Sequence, residues 1–519
     1  MTEPVCHDAR AIGALHVRLP HWKEINMYED RIKNSALMSK IMSASDAAAL
    51  IKENMKLGFS GFTSAGYAKL IPTEIAKQGT AKNLTVISGA STGAELDGEL
   101  AKAGLMGRRH PFQSNKDSRN SINAGTTEYA DYHLGMLPRY IRQDIFGDLD
   151  YAIIECCMIL EDGSLVPTLT VGATNAIVEK SKKVLVELNT SVPTGVYGMH
   201  DIFNPDLGQP IPLTSSEQRI GEKFIKCTPD KIAGIVINEN RGECPKFKPV
   251  DEVSQKIADH IIEFLREEVK KGHLPENLYP LQSGVGAVAN AVLAGLSGAG
   301  FKHLSMFTEV VQDSAVELLY DGIMDSLSTT AVSLSEEGLA KFYDNFDNVK
   351  DKIVIRPQDI SNHPEAIRRL KLISMNTAIE CDIYGNVNST HISGSKMMNG
   401  IGGSGDFARN AGISIFMTPS VAKDGAISSI VPFCSHIDST EHDVCVIVTE
   451  QGLADLRGLS PKERAKLIIE KCAHPDYKDE LMQYFNHACE VAPANHTPHD
   501  LDHCFDMHNR FIKNGTMKK

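Results

Sequence analysis

The chain has 519 residues, of which 42% are hydrophobic and 23% charged, the proportions of a soluble globular protein too long for a single core. A formal charge of −13, from 53 basic and 66 acidic residues, excludes nucleic acid as the main partner, so any polyanionic ligand must be held by locally clustered positive charge. The 11 scattered cysteines, without a C-x-x-C pair, exclude a disulfide framework or a zinc ribbon and fit a reducing compartment, and no apolar run reaches the roughly 18 residues of a membrane span.

Residues 1–27 mix Glu3, Asp8 and Glu24 with Arg10, Arg18 and Lys23, and hold the only tryptophan, Trp22. An import sequence is rich in Arg and Ser and poor in acids, so the expectation is an N-terminal extension on a cytoplasmic protein, with a mitochondrial or hydrogenosomal matrix as the alternative. From residue 28, short apolar runs alternate with helix-length amphipathic segments. Strand-like runs occur at 57–60, 84–88, 151–154 and 183–187, then at 232–237, 304–307, 352–355 and 444–448. This alternation predicts an α/β fold with a mostly parallel sheet. A helix is predicted over 251–271, with Ile257, Ile261, Leu265 and Val269 on one stripe; another opens at Ser460-Pro461-Lys462-Glu463, a capping box with proline in the first turn. Two domains are expected, 28–230 and 231–519, with 205–229 and 238–249 as candidate connectors.

The halves resemble each other. Ser60-Gly61-Phe62 leads through Lys82-Asn83-Leu84 into Gly89, as Ser283-Gly284-Val285 leads through Lys302-His303-Leu304 into Glu309. Two tandem, related α/β domains would place the site between them. Glu309 stands where an apolar strand turns into a helix, with the small-residue loops Ser283–Ala287 and Asn399–Phe407 on either side, whose backbone N–H groups can approach a ligand closely. A helix N-terminal acid stabilised by the macrodipole is the bland alternative.

Three strings mimic other chemistry. Gly89-Ala90-Ser91-Thr92-Gly93 spells the G-x-S-x-G elbow of a serine hydrolase, with His436 or His442 available to a triad. Gly400–Gly405 spells G-x-G-x-x-G and Gly284–Ala289 its alanine-ended variant, but neither opens a clean first βαβ unit. The sets Cys434, His436, Asp438, His442 and His496, His499, His503, His508 lack the paired spacing of a zinc site, and no metal is expected.

Longer strings carry a resemblance. Ser60–Thr63, Gly89–Gly93, Leu281–Gly286, Thr308–Asp313, Ile360–Glu365, Asp382–Thr390, Gly402–Phe407 and Thr449–Gly458, in that order, resemble the class I CoA-transferases and, more narrowly, the acetyl-CoA hydrolase/transferase family with its succinyl-CoA:acetate members. The resemblance implies tandem CoA-transferase domains, no permanently bound cofactor, coenzyme A carried in on an acyl-CoA substrate, a short-chain carboxylate acceptor and a homodimer. It implies a catalytic glutamate at Glu309, attacking the thioester and passing through anhydride and glutamyl-CoA intermediates with ping-pong kinetics. Val285 and Gly403 match the family's oxyanion-hole amides, and Asn362, Ser91 and Glu450 its polar active-site positions. Gly284, Val285, Gly286, Ala287 and Val288, with Ile379, Asn399, Gly403 and Lys423, match its CoA contacts; Lys396 and Arg409 are further candidate cations. Where relatives carry a basic residue after the 232–237 strand, Glu243 stands, with Arg241 two positions earlier. The exact acyl group, and whether water or a carboxylate is the acceptor, are not written in these residues.

Overall fold

The computed structural model describes residues 28–519 apart from 207 and 248. The expectations for residues 1–27, Trp22 among them, lie outside the described residues.

The first sheet has seven strands: β1 Lys56–Thr63, β2 Leu84–Ser91, β3 Met106–His110, β4 Glu128–Tyr129, β5 Leu149–Cys156, β6 Ser181–Asn189 and β7 Ile232–Asn238. They run parallel in the order β4-β3-β2-β1-β5-β6-β7. The second sheet has β8 Leu281–Ser283, β9 Leu304–Phe307, β10 Met324–Thr329, β11 Ile353–Ile355, β12 Ile373–Thr377, β13 Ile413–Met417, β14 Val446–Thr449 and β15 Gly452–Asp455. Its order is β11-β10-β9-β8-β12-β13-β14-β15, parallel except for the terminal β14–β15 hairpin. Counted from its own first strand, each sheet runs 4-3-2-1-5-6-7, so the two halves share one topology, and the faint sequence echo between Gly89 and Glu309 falls on the second strand of each.

β7 was expected to open the second half. It instead pairs with β6 from Val184↔Ile232 to Asn189↔Asn238 and completes the first sheet. An apolar run announces a strand but not its partner, and the open edge of a six-stranded sheet captures this one. The crossing to the second half is therefore the polar segment after Asn238, one of the two connectors expected.

The elements form for local reasons. Helix α1, Glu252–Lys270, is capped by the Asp251 side chain on the Ser254 amide and buries Ile257, Ile261 and Leu265, together worth on the order of 6 kcal/mol. It packs on α2, Ala287–Gly298. The expected capping box opens α6, Pro461–Cys472, which with α7, Pro475–Val491, and α8, Asp506–Asn514, encloses a satellite core around Tyr384, Phe416 and Tyr477. No helix among the described residues is long and apolar enough to cross a membrane.

The two sheets meet through loops at their strand C-termini. Val171 donates to the Thr330 carbonyl at 3.0 Å, Val332 to Leu169 at 2.9 Å, Gln358 to Gly172 at 2.9 Å and Leu134 to Gly402 at 3.2 Å. Parallel sheets place ligands at the C-terminal strand ends where the strand order reverses, here between β8 and β12.

Candidate active site

Glu309 sits two residues past β9, before the two-residue strand Val310–Val311 and well ahead of helix α3, Asp313–Tyr320. It is therefore not a helix-capping acid. Its main chain is fixed: the Glu309 carbonyl accepts from Thr329 Oγ1 at 2.8 Å, the Thr330 amide at 3.1 Å and the Ala331 amide at 3.0 Å. That turn is in turn held by the other half, since Thr170 Oγ1 donates to the Thr330 carbonyl at 2.9 Å.

Among the described residues the side chain has one polar partner. Asn362, at the end of the short helix α4, Gln358–Ser361, donates from Nδ2 to Glu309 Oε1 at 2.5 Å. The rest of the carboxyl lies in a cleft where loss of hydration pushes its pKa up to about 7, the Asn362 bond only partly offsetting this. Among the described residues no cation pairs with it. A carboxylate so poorly solvated is a better nucleophile than one on the surface.

Two loops approach it. A Cβ at Gly403 would overlap Glu309 Oε1 and Asn362 Nδ2, so only glycine lets this chain lie against the carboxyl. Gly403 begins helix α5, Ser404–Asn410. On the other side, Ser283 is tied to Thr308 by a hydroxyl bond of 3.1 Å, which brings the turn Gly284–Gly286 level with Glu309 across adjacent strand ends. This turn does join a strand to a helix, with Gly286 at φ 119°. Among the described residues neither the Val285 nor the Gly403 amide has an acceptor in the chain.

The remaining expected residues divide. Val285, half exposed, Gly286 and Asn399 line a cleft of ≈ 1380 Å³ together with Arg119, Arg241, Glu243 and Lys246. Arg241 thus does face the cleft, although Glu243 accompanies it. Gly284 donates to the Met375 carbonyl, Ala287 and Val288 begin α2, and Ile379 donates to Asn388 at 2.8 Å. Lys423 is exposed on a hairpin, its ammonium 4.8 Å from the Phe511 ring centre. Lys396 is exposed on a two-residue strand, and Arg409 lies 3.5 Å from Asp443.

Ser91 and Glu450 are not joined to Glu309. The buried Ser91 hydroxyl donates to the Ser60 carbonyl at 2.7 Å, spanning β2 and β1, and among the described residues no histidine reaches it. The serine-hydrolase elbow is thus a tight strand end without a base. Glu450, between β14 and β15, accepts from the Ser420 amide at 2.8 Å and from the Ser420 hydroxyl, which lowers its pKa and pins the loop leading to Lys423. The G-x-G-x-x-G string at Gly400 follows only a two-residue strand. No group of three or more His, Cys, Asp or Glu is placed to hold a metal among the described residues. His508 bonds Glu380 at 2.8 Å and His499 bonds Tyr484 at 2.9 Å instead.

Sequence reading missed Asp406 and Gln358. Asp406 Oδ2 accepts from Asn362 Nδ2 at 3.2 Å and from the Gly135 amide at 2.9 Å; Gln358 Nε2 donates to the Leu134 carbonyl at 2.6 Å. Asp406 lies inside a string already noted, Gly402–Phe407, but its partners come from distant segments.

Residues 26–235 match the sequence model of the acetyl-CoA hydrolase/transferase N-terminal domain, and residues 338–485 that of the C-terminal domain. The chain is 50% identical over 497 residues to the succinyl-CoA:acetate CoA-transferase of Clostridium kluyveri, covering 94% of this chain and 92% of that one. It is 44% identical to the acetyl-CoA hydrolase of Candida albicans over 94% of this chain and 98% of the relative, and 42% identical to that of Saccharomyces cerevisiae over 95% and 98%. Among solved structures, RipA from Yersinia pestis shares the fold at TM-score 0.67 and 22% identity, covering 89% of this chain and 97% of that one. The 4-hydroxybutyrate CoA-transferase of Porphyromonas gingivalis does so at TM-score 0.60 and 21% identity, covering 90% and 99%.

Proposed function

Because the chain belongs to the acetyl-CoA hydrolase/transferase family, we propose that this enzyme moves coenzyme A from a short-chain acyl-CoA to a carboxylate, with succinyl-CoA and acetate as donor and acceptor. The observation that carries this is Glu309: a dehydrated carboxyl without a cation, held by Asn362 and lying against Gly403.

In this reading Glu309 Oε attacks the thioester carbonyl, the C–S bond breaks, and an acyl-glutamyl anhydride forms with free CoA thiolate. The thiolate adds to the glutamyl carbonyl and expels the acyl group as its carboxylate, leaving a glutamyl-CoA thioester. The acceptor carboxylate then reverses both steps. Each addition places negative charge on a carbonyl oxygen, and the Val285 and Gly403 amides are the donors for it, each worth about 3 kcal/mol of barrier. Asn362 orients the nucleophile. Gly284–Val288, Ile379, Asn399 and Lys423 contact CoA, and Arg241 and Lys246 supply the local positive charge that an acidic protein needs for a polyanionic substrate. Ser91 and Glu450 act by holding their loops.

A hydrolase reading is favoured by the names of the fungal relatives, and the two differ only in whether water reaches the intermediates. Incubation with succinyl-CoA, with and without acetate, separates them. Acetyl-CoA formed in step with acetate, and little CoA released without it, is the expected result; thioester loss at the same rate without acetate would favour the hydrolase.

A further inference from the structure

Asn362 has one NH₂ group and two carboxyls to serve. Its Nδ2 lies 2.5 Å from Glu309 Oε1 and 3.2 Å from Asp406 Oδ2, while its Oδ1 accepts from the Ser361 hydroxyl at 2.8 Å. The amide is thus pinned with its nitrogen toward both acids. Asp406, buried in the first turn of α5, also accepts the Gly135 amide from the other half at 2.9 Å, again on Oδ2.

Among the described residues nothing nearby balances two negative charges. His133, against Gly405, and His363, next to Asn362, are both pushed toward the neutral form by burial. In the adjoining cavity Arg142 is paired with Asp359 and Arg369 with Glu365, while Arg139 is exposed. Two anions joined through one neutral amide in a poorly hydrated site repel, so one of them keeps a proton. The nucleophile must be the ionised one. Asp406 Oδ2 already accepts two N–H groups, which leaves Oδ1 for the proton.

We propose that Asp406 is a positioning residue that remains a neutral acid, leaving the single negative charge on Glu309 and holding the second N–H of Asn362 so that the first stays on Oε1. The proposal rests on the covalent reading above. Burial and the charge of Glu309 push Asp406 up to about 8, above Glu309, which agrees with this order of ionisation.

The test compares Asp406→Asn, an uncharged near-isostere of the neutral acid, with Asp406→Ala in the full-length protein at about pH 7.5, between the two pKa values, where Glu309 is mostly ionised and Asp406 mostly protonated. Asp406→Asn is expected to keep kcat within about fivefold of wild type, and Asp406→Ala to lower kcat by about 100-fold with KM for succinyl-CoA within about twofold. The infrared difference spectrum of wild type minus Asp406→Asn should carry a protonated-carboxyl band, which subtracts the other buried acids such as Asp97 and Glu187 and is a readout independent of whether Asp406→Ala folds. A loss in Asp406→Asn as large as in Asp406→Ala, or a difference spectrum without a protonated-carboxyl band, would overturn the proposal. A wild-type enzyme that forms no glutamyl-CoA would instead fail the covalent reading and take this proposal with it.

Discussion

At the scale of single residues, the chemistry depends on the environment of Glu309 more than on its presence. Glu309→Gln keeps the shape and the Asn362 contact but removes the nucleophile, so kcat should fall by at least about 10³-fold, measured as acetyl-CoA formation. Ser91→Ala, which deletes a strand-bracing bond to the Ser60 carbonyl that does not involve the Glu309 carboxyl, should cost less than about tenfold. Because the carboxyl is pushed up to about 7 and must be ionised to attack, kcat should decline as pH falls through about 7. The same shift bears on stability. A carboxyl whose pKa is raised by folding holds its proton where the unfolded chain has lost it, so stability falls as pH rises from the unfolded value near 4.5 to about 7. Thermal unfolding should therefore show a drop in Tm over that window that is smaller in Glu309→Gln. Sequence alone placed Glu309 at a strand end between two glycine loops, and that much the structure bears out. What it could not supply was Asp406 beside it, because an acid four residues into a small-residue string looks like any solvated helix start until Gly135 and Asn362 are folded onto it.

At the scale of elements, the loops are the working parts and the strands their supports. The turn after β8 lies level with Glu309 in strand register, and the loop before α5 lies against its carboxyl at Gly403. Gly403→Ala would force a Cβ onto Glu309 Oε1 and Asn362 Nδ2, and the neighbours are fixed at both ends. It should lower kcat by about 10²-fold while leaving circular dichroism unchanged, whereas Gly425→Ala in the hairpin beside Lys423 should be nearly silent in kcat. Charge reversal at Arg241 and Lys246 together should raise KM for succinyl-CoA at low salt and flatten or reverse the rise of that KM with salt, while leaving KM for acetate near wild type. Strand positions were readable because apolar runs and period are local properties. Pairing was not, which is why β7 joined the first sheet and why Glu450, though in a string typical of the family, proved to hold Ser420.

At the scale of the whole molecule, two sheets of one topology face each other through their strand C-termini, and only one of the paired second strands carries the acid. In the first sheet the corresponding strand end has Gly89, where a Cβ would lie 2.5 Å from Gln358 Oε1 of the second half. The first half therefore serves as the wall against which the loops around Glu309 are set, through Gly135 on Asp406, Leu134 on Gly402 and Gln358 on Leu134. Gln358→Ala should cost about 1 kcal/mol in denaturant unfolding, since it removes one of two donors to the Leu134 carbonyl and leaves the Leu137 amide at 3.2 Å. The α/β class was legible from the alternation of runs, and the relation between the halves from a faint echo. The way they face each other was not, because that geometry resides in contacts between residues hundreds of positions apart. The most direct measurement of the whole scheme is borohydride trapping of the enzyme during turnover of succinyl-CoA, followed by intact-mass and peptide analysis. A reduced side chain at Glu309, absent when acyl-CoA is omitted and absent in Glu309→Gln, is the predicted result. An unmodified Glu309 during active acetyl-CoA formation, or a modification at Ser91, would contradict it.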